Sequence, residues 1–432
     1  MGSKVGTPPR VIVLGAGLAG LAAALRLSET GYDVELVERR AVLGGRASSF
    51  IPPGETEPID NCQHVLLGCC TNLLDFFRRA ATAHQLRFYN SFLFLGPRGL
   101  SSVSASPLPA PLHLAPSLVR FRDLGWQDRW AIARAMWAIL RAGQSAPEAA
   151  FLIWLHDQRQ TPRAIENFWR VILTSALNED LERLPCRPAF QVFQEAFLWN
   201  RRGYRMAVPC VPLGELYSGK MLAERCRLLL GTPAIRLDSR DGRISGVCLQ
   251  NGEQKTADFY ISALPPESLA RVLPPQAHGQ WPALSGWKDF EWSPITGIHL
   301  WFDRPVMDFH YAAVLGRTIQ WVFNRSAISG NGASPSGPQY LQLVVSASRS
   351  LLPLGREEIV QLCVRELQEL FPRCRQAGLL KAVVVKESRA TVSLRPETET
   401  LRPSATTPFA NLFLAGDWTA SGWPPTMEGA VR

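Results

Sequence analysis

The chain has 432 residues, 46% hydrophobic and 19% charged, which supplies apolar material for a sizeable core and excludes an intrinsically disordered protein. The formal net charge is +9, yet only six of the 46 basic residues are lysines, and no dense basic run or nucleic-acid motif is present, so nucleic acid is not an expected partner. The arginine bias suits phosphate groups, those of a cofactor or of an anionic membrane surface.

An apolar run at residues 11–14 meets Gly15-Ala16-Gly17-Leu18-Ala19-Gly20, and an Ala- and Leu-rich helical pattern follows. A second apolar run, 34–37, ends in Glu38. This strand, turn, helix and strand predict a dinucleotide-binding unit. Gly15, Gly17 and Gly20 allow a tight turn and close approach of backbone to a pyrophosphate. Leu18 and Ala19 open the helix whose N-terminus would face that anion. Glu38, eighteen residues past Gly20, is placed to accept hydrogen bonds from a ribose. Beyond Arg39, Gly44-Gly45-Arg46 adds a second glycine turn and a cation, which favours the longer FAD over NAD. Here the chain resembles the amine oxidase and phytoene desaturase superfamily of flavoproteins.

Residues 72–205 read as mostly helical, with helices over 72–83, 127–142, 147–158 and 162–177. Pro147 and Pro162 fit first helical turns. A Pro-rich stretch, 101–117, reads as a loop, and 213–230 as a further helix. Strands follow at 234–238, 244–250 and 258–263, with Asp241-Gly242 and Asn251-Gly252 as turn signals. Apolar or alternating segments at 292–302, 319–324, 339–347 and 382–392 predict a mixed sheet, with helix 356–370 beside it. A buried strand then ends in Ala415-Gly416-Asp417, and Thr426 and Met427 begin a short helix. The predicted fold class is α/β: a Rossmann-like FAD-binding domain of amine-oxidase type, interleaved with a mixed-sheet and helical substrate domain. The FAD part takes residues 1–66, 206–270 and 396–432; the substrate part takes 67–205 and 271–395.

Residues 1–9 are short and polar and do not read as a signal peptide, and no apolar stretch is long enough to span a membrane. Nine scattered cysteines read as reduced thiols, which fits a cytoplasmic location. Cys62, Cys69 and Cys70 lie near His64, but no spaced partner pair completes a metal set, so no metal is expected. Trp126, Trp130 and Trp137 share one helical face with arginines between them. The first reading is a stripe buried in the core; the alternative is an interfacial helix touching lipid headgroups.

In the superfamily, the Asp of a terminal Ala-Gly-Asp contacts the ribityl–phosphate part of FAD, and the next helix points at the flavin. The resemblance places Gly416, Asp417, Thr426 and Met427 there, Ala234 near the adenine, and Gln63 and His64 beside the flavin ring. The segment Asp60-Asn61-Cys62-Gln63-His64, with Gly416-Asp417-Trp418-Thr419 and 425–432, resembles one branch in particular, the hydroxysqualene dehydroxylases of bacterial hopanoid synthesis. Trp423 departs from it, being larger than expected, and the chain stops within a helix that normally continues. The resemblance implies reductive removal of a hydroxyl from a long C30 isoprenoid alcohol, with hydride from reduced flavin. It also implies a membrane-peripheral enzyme working alongside other squalene enzymes. Candidate acids are His64 and Asp60. His64 reads equally as a core histidine, and Asp60 as a turn or cap carboxylate. NADPH is a candidate reductant, although no second glycine-rich dinucleotide motif is present. The runner-up readings are a carotenoid-type desaturase and a non-catalytic FAD-bound scaffold.

Overall fold

Strand β1 (Arg10–Leu14) is buried on both faces, as the centre of a parallel sheet requires, and helix α1 (Leu18–Glu29) links it to β2 (Asp33–Val37) beside it. In this computed structural model, which describes residues 7–143, 145–217, 222–281, 283–330 and 337–432, β1 also pairs in parallel with Phe259–Ser262. Arg227–Leu229 extends the sheet beyond β2, and Leu412–Leu414 extends it beyond Phe259–Ser262. Both ends of the chain therefore build one five-stranded parallel sheet.

A second sheet has seven strands, in the order Leu379–Val392, Trp292–Phe302, Gln339–Ser346, Trp321–Asn324, Tyr311–Val314, Ser91–Gly96 and Gly99–Ser104. Helix Arg356–Leu370 packs on one face through Ile359, Cys363 and Leu367. The other face, carrying Phe92, Phe94 and Phe323, is covered by a helical layer. That layer is aromatic at its centre: Trp169 meets Phe193 edge-on at 4.7 Å between ring centroids, and Trp154 meets Phe190 at 4.8 Å.

Several predicted elements move. The block expected to be mostly helical also contains strands Leu86–Tyr89, Ser91–Gly96 and Gly99–Ser104, the last running into the predicted loop 101–117. They are short, and their apolar runs do not distinguish strand from helix by period. The helix expected from Pro147 begins at Phe151, so Pro147 lies outside its first turn. Pro162 does open a helix, capped by Thr161, whose side chain accepts from the Ala164 N–H. Of the helix predicted over 213–230, Leu213–Leu216 and residues 222–223 are helical; residues 218–221 lie outside the described residues, and Arg227–Leu229 is a sheet strand. Tyr311–Val314, not predicted, joins the two parts of the second sheet. At the predicted hairpin, Asp241 and Gly242 both have positive φ, +49° and +72°, as a tight turn between twisted strands demands.

The tryptophan stripe is the largest correction. Helix Trp126–Ala142 buries Ala131, Ile132, Ala135 and Ile139, while Trp126, Trp130 and Trp137 are 64%, 61% and 59% exposed. The helix has two apolar faces, and the smaller residues won the core. Among the described residues no helix is long and apolar enough to cross a membrane, and all nine cysteines are free thiols.

Candidate active site

Between the two sheets runs a cavity of about 1280 Å³, larger than a typical small-molecule site. One end is the glycine turn. Gly15 takes φ +98°, and its N–H donates to the Val37 carbonyl at 2.8 Å. Gly17 precedes α1, and a Cβ on it would meet nothing closer than Gly45 Cα at 4.0 Å. Gly15, Gly17, Leu18 and Ala19 line the cavity. Gly20 does not; a Cβ there would stand 1.8 Å from the Gly15 carbonyl oxygen. Its role is to seat the helix against the turn, not to touch a ligand.

The Gly44 N–H donates to the Ala16 carbonyl at 2.8 Å, and Gly44 and Gly45 both have positive φ, so the second glycine turn lies directly on the first. Glu38 is buried; its Oε2 accepts from the Ala16 N–H at 2.7 Å and its Oε1 from the Arg40 N–H at 2.9 Å. A carboxylate has about four lone-pair sites, so capacity remains for a ribose hydroxyl. Arg39, Glu38, Gly44, Gly45 and Arg46 line this end, with Ala234 opposite. Arg46 forms an ion pair with Asp417, and its Nη1 donates to the Ala390 carbonyl at 3.1 Å. Gly416, Asp417, Thr426 and Met427 complete the wall. Thr426 Oγ1 caps the last helix by accepting from the Gly429 N–H. Free helix-terminal N–H groups, arginines and an open glycine face fit a dinucleotide pyrophosphate.

Farther in, Gln63 and His64 line the cavity. Gln63 Oε1 accepts from the buried Arg325 at 3.1 Å, and its Nε2 donates to the His64 carbonyl at 3.0 Å. His64 Nδ1 lies 2.9 Å from the Cys62 carbonyl, which can only accept, so that nitrogen carries the proton. Burial holds the His64 pKa below its ordinary value, so the ring is neutral and Nε2 offers a lone pair. Asp60 is not on the cavity wall. Its Oδ1 accepts from Ser49 Oγ at 2.7 Å and from the Leu213 N–H at 2.8 Å. It is a buried carboxylate on the short strand Ile59–Asp60 that ties the paired strand at Ser49 to the start of helix Leu213–Leu216, and away from the cavity wall it is not placed to act as the acid.

Beyond His64 the walls are apolar and aromatic: Phe92, Phe94, Phe168, Phe197, Trp321 and Phe323. Glu195 sits in the π-helical turn Gln194–Leu198 and lines the cavity, and burial raises its pKa above the ordinary carboxylate value, Glu428 adding to the effect and Arg432 opposing it. Sequence reading missed it. The signal is a lone charge among the apolar residues of Phe-Gln-Glu-Ala-Phe-Leu, residues 193–198. No cluster of metal-ligating side chains occurs among the described residues.

A glycine cradle at a helix N-terminus, opening into a long aromatic-walled cavity, defines a flavin-dependent oxidoreductase. The chain matches the family of flavin containing amine oxidoreductases over residues 18–432 and belongs to it. Membership implies FAD as the cofactor. The chain is similar to 15-cis-phytoene desaturase of Synechococcus elongatus, 26% identical over 98% of this chain and 93% of the relative. It is equally similar to hydroxysqualene dehydroxylase of Sinorhizobium fredii, 26% identical over 98% of this chain and 96% of the relative. An oxidoreductase structure from Methanosarcina mazei shares the fold with a TM-score of 0.73 at 18% identity, covering 98% of both chains. Putrescine oxidase shares it at 0.67 and 16%, covering 98% of this chain and 97% of the other.

Proposed function

We propose that the protein reductively removes the hydroxyl group of a long polyisoprenoid alcohol, hydroxysqualene being the substrate of choice and squalene the product. The observation that carries this reading is Glu195, a carboxyl in the wall of an apolar cavity continuous with the cofactor cradle, whose pKa burial raises above the ordinary glutamate value. A long hydrocarbon needs such walls, and an allylic hydroxyl needs an acid before it can leave. FAD in its reduced form supplies a hydride when bound.

The chain's own residues account for the rest. His64 Nε2 accepts a hydrogen bond from the substrate hydroxyl and orients it. The Glu195 carboxyl donates its proton to the same oxygen, the C–O bond breaks, and water leaves. Positive charge spread over the allylic carbons then faces the rings of Phe92, Phe168, Phe197 and Trp321. These walls exclude the water that would recapture the cation. Hydride addition gives the hydrocarbon, and solvent reprotonates Glu195.

Similarity to the Synechococcus elongatus phytoene desaturase favours a second reading, desaturation, in which hydride runs from substrate to oxidised cofactor. Anaerobic mixing separates the two. Holoprotein reduced with dithionite or with NADPH is expected to convert hydroxysqualene to squalene, one product per flavin reoxidised. Bleaching of oxidised holoprotein by phytoene, with no turnover of hydroxysqualene, would assign desaturation instead.

A further inference from the structure

Among the described residues the exposed face of helix Trp126–Ala142 has no partner, and large apolar patches on a protein surface mark contact sites. Trp126 and Trp130 touch edge-on at 5.4 Å between centroids, and Trp137 lies seven residues further along the same face. Leu112 and Val119, 56% and 57% exposed, extend the patch from the preceding segment. The turn carrying exposed Trp199 joins it, because Arg201 donates to the Ser106 carbonyl at 2.8 Å.

Two further observations say what covers this face. The first is its position. Leu112, Val119 and Trp137 are exposed and also line the cavity, so the patch rims the cavity's mouth. The second is charge. Arg120, Arg122, Arg134 and Arg141 are exposed around the tryptophans. The acidic residues between 101 and 147, Asp123 and Asp128, are buried and held by backbone N–H groups of Arg98 and Gly125. Asp157, on the neighbouring helix, is the exposed carboxylate nearest in sequence to Gln158, whose carbonyl Arg134 holds. Tryptophan rings beside arginines, with both acids between residues 101 and 147 buried and exposed Glu148 and Asp157 lying beyond that segment, match the boundary between anionic headgroups and acyl chains. There the rings sit at the interface while guanidinium groups reach phosphates.

We propose that this face seats on an anionic lipid bilayer, with the cavity mouth at Leu112, Val119 and Trp137 turned toward the acyl region. An apolar substrate then passes from bilayer to cavity without crossing water. The lipid contact does not rest on the dehydroxylation reading, since it is tested without substrate.

The test is flotation of full-length holoprotein with phosphatidylcholine vesicles, with and without phosphatidylglycerol. Wild type is expected to float with the anionic vesicles, less with the neutral ones, and less again in high salt. The double variant W126S/W130S, which leaves the cavity lining intact, is expected to bind anionic vesicles about tenfold more weakly with unchanged flavin content. Brominated phospholipid is expected to quench wild-type tryptophan fluorescence more than that of the variant. Wild type left unfloated by anionic vesicles in low salt would overturn the proposal. So would a double variant that floats like wild type. Absent flotation combined with self-association that W126S/W130S abolishes would instead assign the face to a second copy of the chain.

Discussion

Arg46 and Asp417 lie 371 residues apart in sequence and meet as an ion pair on the wall of the cavity. Arg46 follows the second glycine turn, and Asp417 follows the last strand of the parallel sheet. A second tie runs parallel to it. The buried Glu428 carboxylate accepts from the N–H groups of Asn72 and Leu73, at the start of helix Thr71–Arg79. The end of the chain is thus bonded to early segments through both ties, so loss of either is expected to weaken cofactor binding and closure of the domain together.

Removing the cation from this pair tests that coupling. Arg46→Ala leaves Asp417, whose side chain is 8% exposed, without its charged partner. Affinity for FAD is expected to fall by about tenfold to a hundredfold, or roughly 1.4–3 kcal/mol. Arg46→Lys keeps the charge but cannot serve Asp417 and the Ala390 carbonyl with a planar fork, and is expected to fall between. Titration of apoprotein with FAD measures both.

The two inner glycines of the first turn separate ligand contact from packing. At Gly17, φ −72° and ψ 175° suit any residue, and an added Cβ meets only Gly45 Cα at 4.0 Å. Gly17→Ala is therefore expected to fold with a near wild-type melting temperature as apoprotein while losing FAD, because its methyl group takes the space of the pyrophosphate. Gly20→Ala puts a methyl group 1.8 Å from a backbone oxygen, so the helix or turn must move. It is expected to destabilise the apoprotein itself, by about 3 kcal/mol or more. Thermal unfolding of both apoproteins distinguishes them.

Asp60 and His64, four residues apart, are expected to fail in opposite ways. Asp60→Ala strips the partner from the buried Leu213 N–H, at a cost of roughly 1–3 kcal/mol in stability. Its turnover per bound flavin is expected to be unchanged. His64→Ala gives up a hydrogen bond to a carbonyl two residues away and is expected to hold stability better. It removes the lone pair assigned to the substrate hydroxyl, so kcat/KM is expected to drop by about tenfold to a hundredfold. Chemical denaturation and steady-state kinetics on the same two variants decide.

Strands Arg10–Leu14 and Asp33–Val37 are readable because each is a nearly continuous buried run, and the turn after the first takes a positive φ at Gly15. The cradle followed from the same residues. Gly20 was assigned to the ligand because spacing shows that a glycine is needed and not which neighbour needs the space. Trp126, Trp130 and Trp137 defined a helical face correctly, but period gives no sign to a face. Ala131, Ile132, Ala135 and Ile139 form a competing one, and only their neighbours decide which turns inward. The strand at Arg227–Leu229 was read as helix because a short apolar run fits either period. Glu195 was overlooked for a related reason: its importance lies in what surrounds it, and those walls come from segments as distant as Phe92 and Trp321.

Glu195 gives the sharpest prediction because two pH effects with one origin can be read separately. Burial raises its pKa above the ordinary 4.5 of a glutamate, so the folded protein holds this proton more tightly than the unfolded chain does. The folded state then binds more protons between the two pKa values, and stability must fall as pH rises through that window and level off above it. Glu195→Gln keeps the shape and removes the titration, so its stability is expected to lose this slope. Catalysis runs in the same direction. If the protonated carboxyl assists departure of the hydroxyl, dehydroxylation declines as pH rises through the raised pKa. Glu195→Gln is expected to lower kcat by about a hundredfold or more below the raised pKa, without that limb and with FAD content unchanged, so that the deficit narrows as pH rises. A structural carboxyl would alter the stability slope alone. A variant that turns over hydroxysqualene at the wild-type rate, with its pH limb intact, would move the acid elsewhere in the cavity and leave the cradle as it stands.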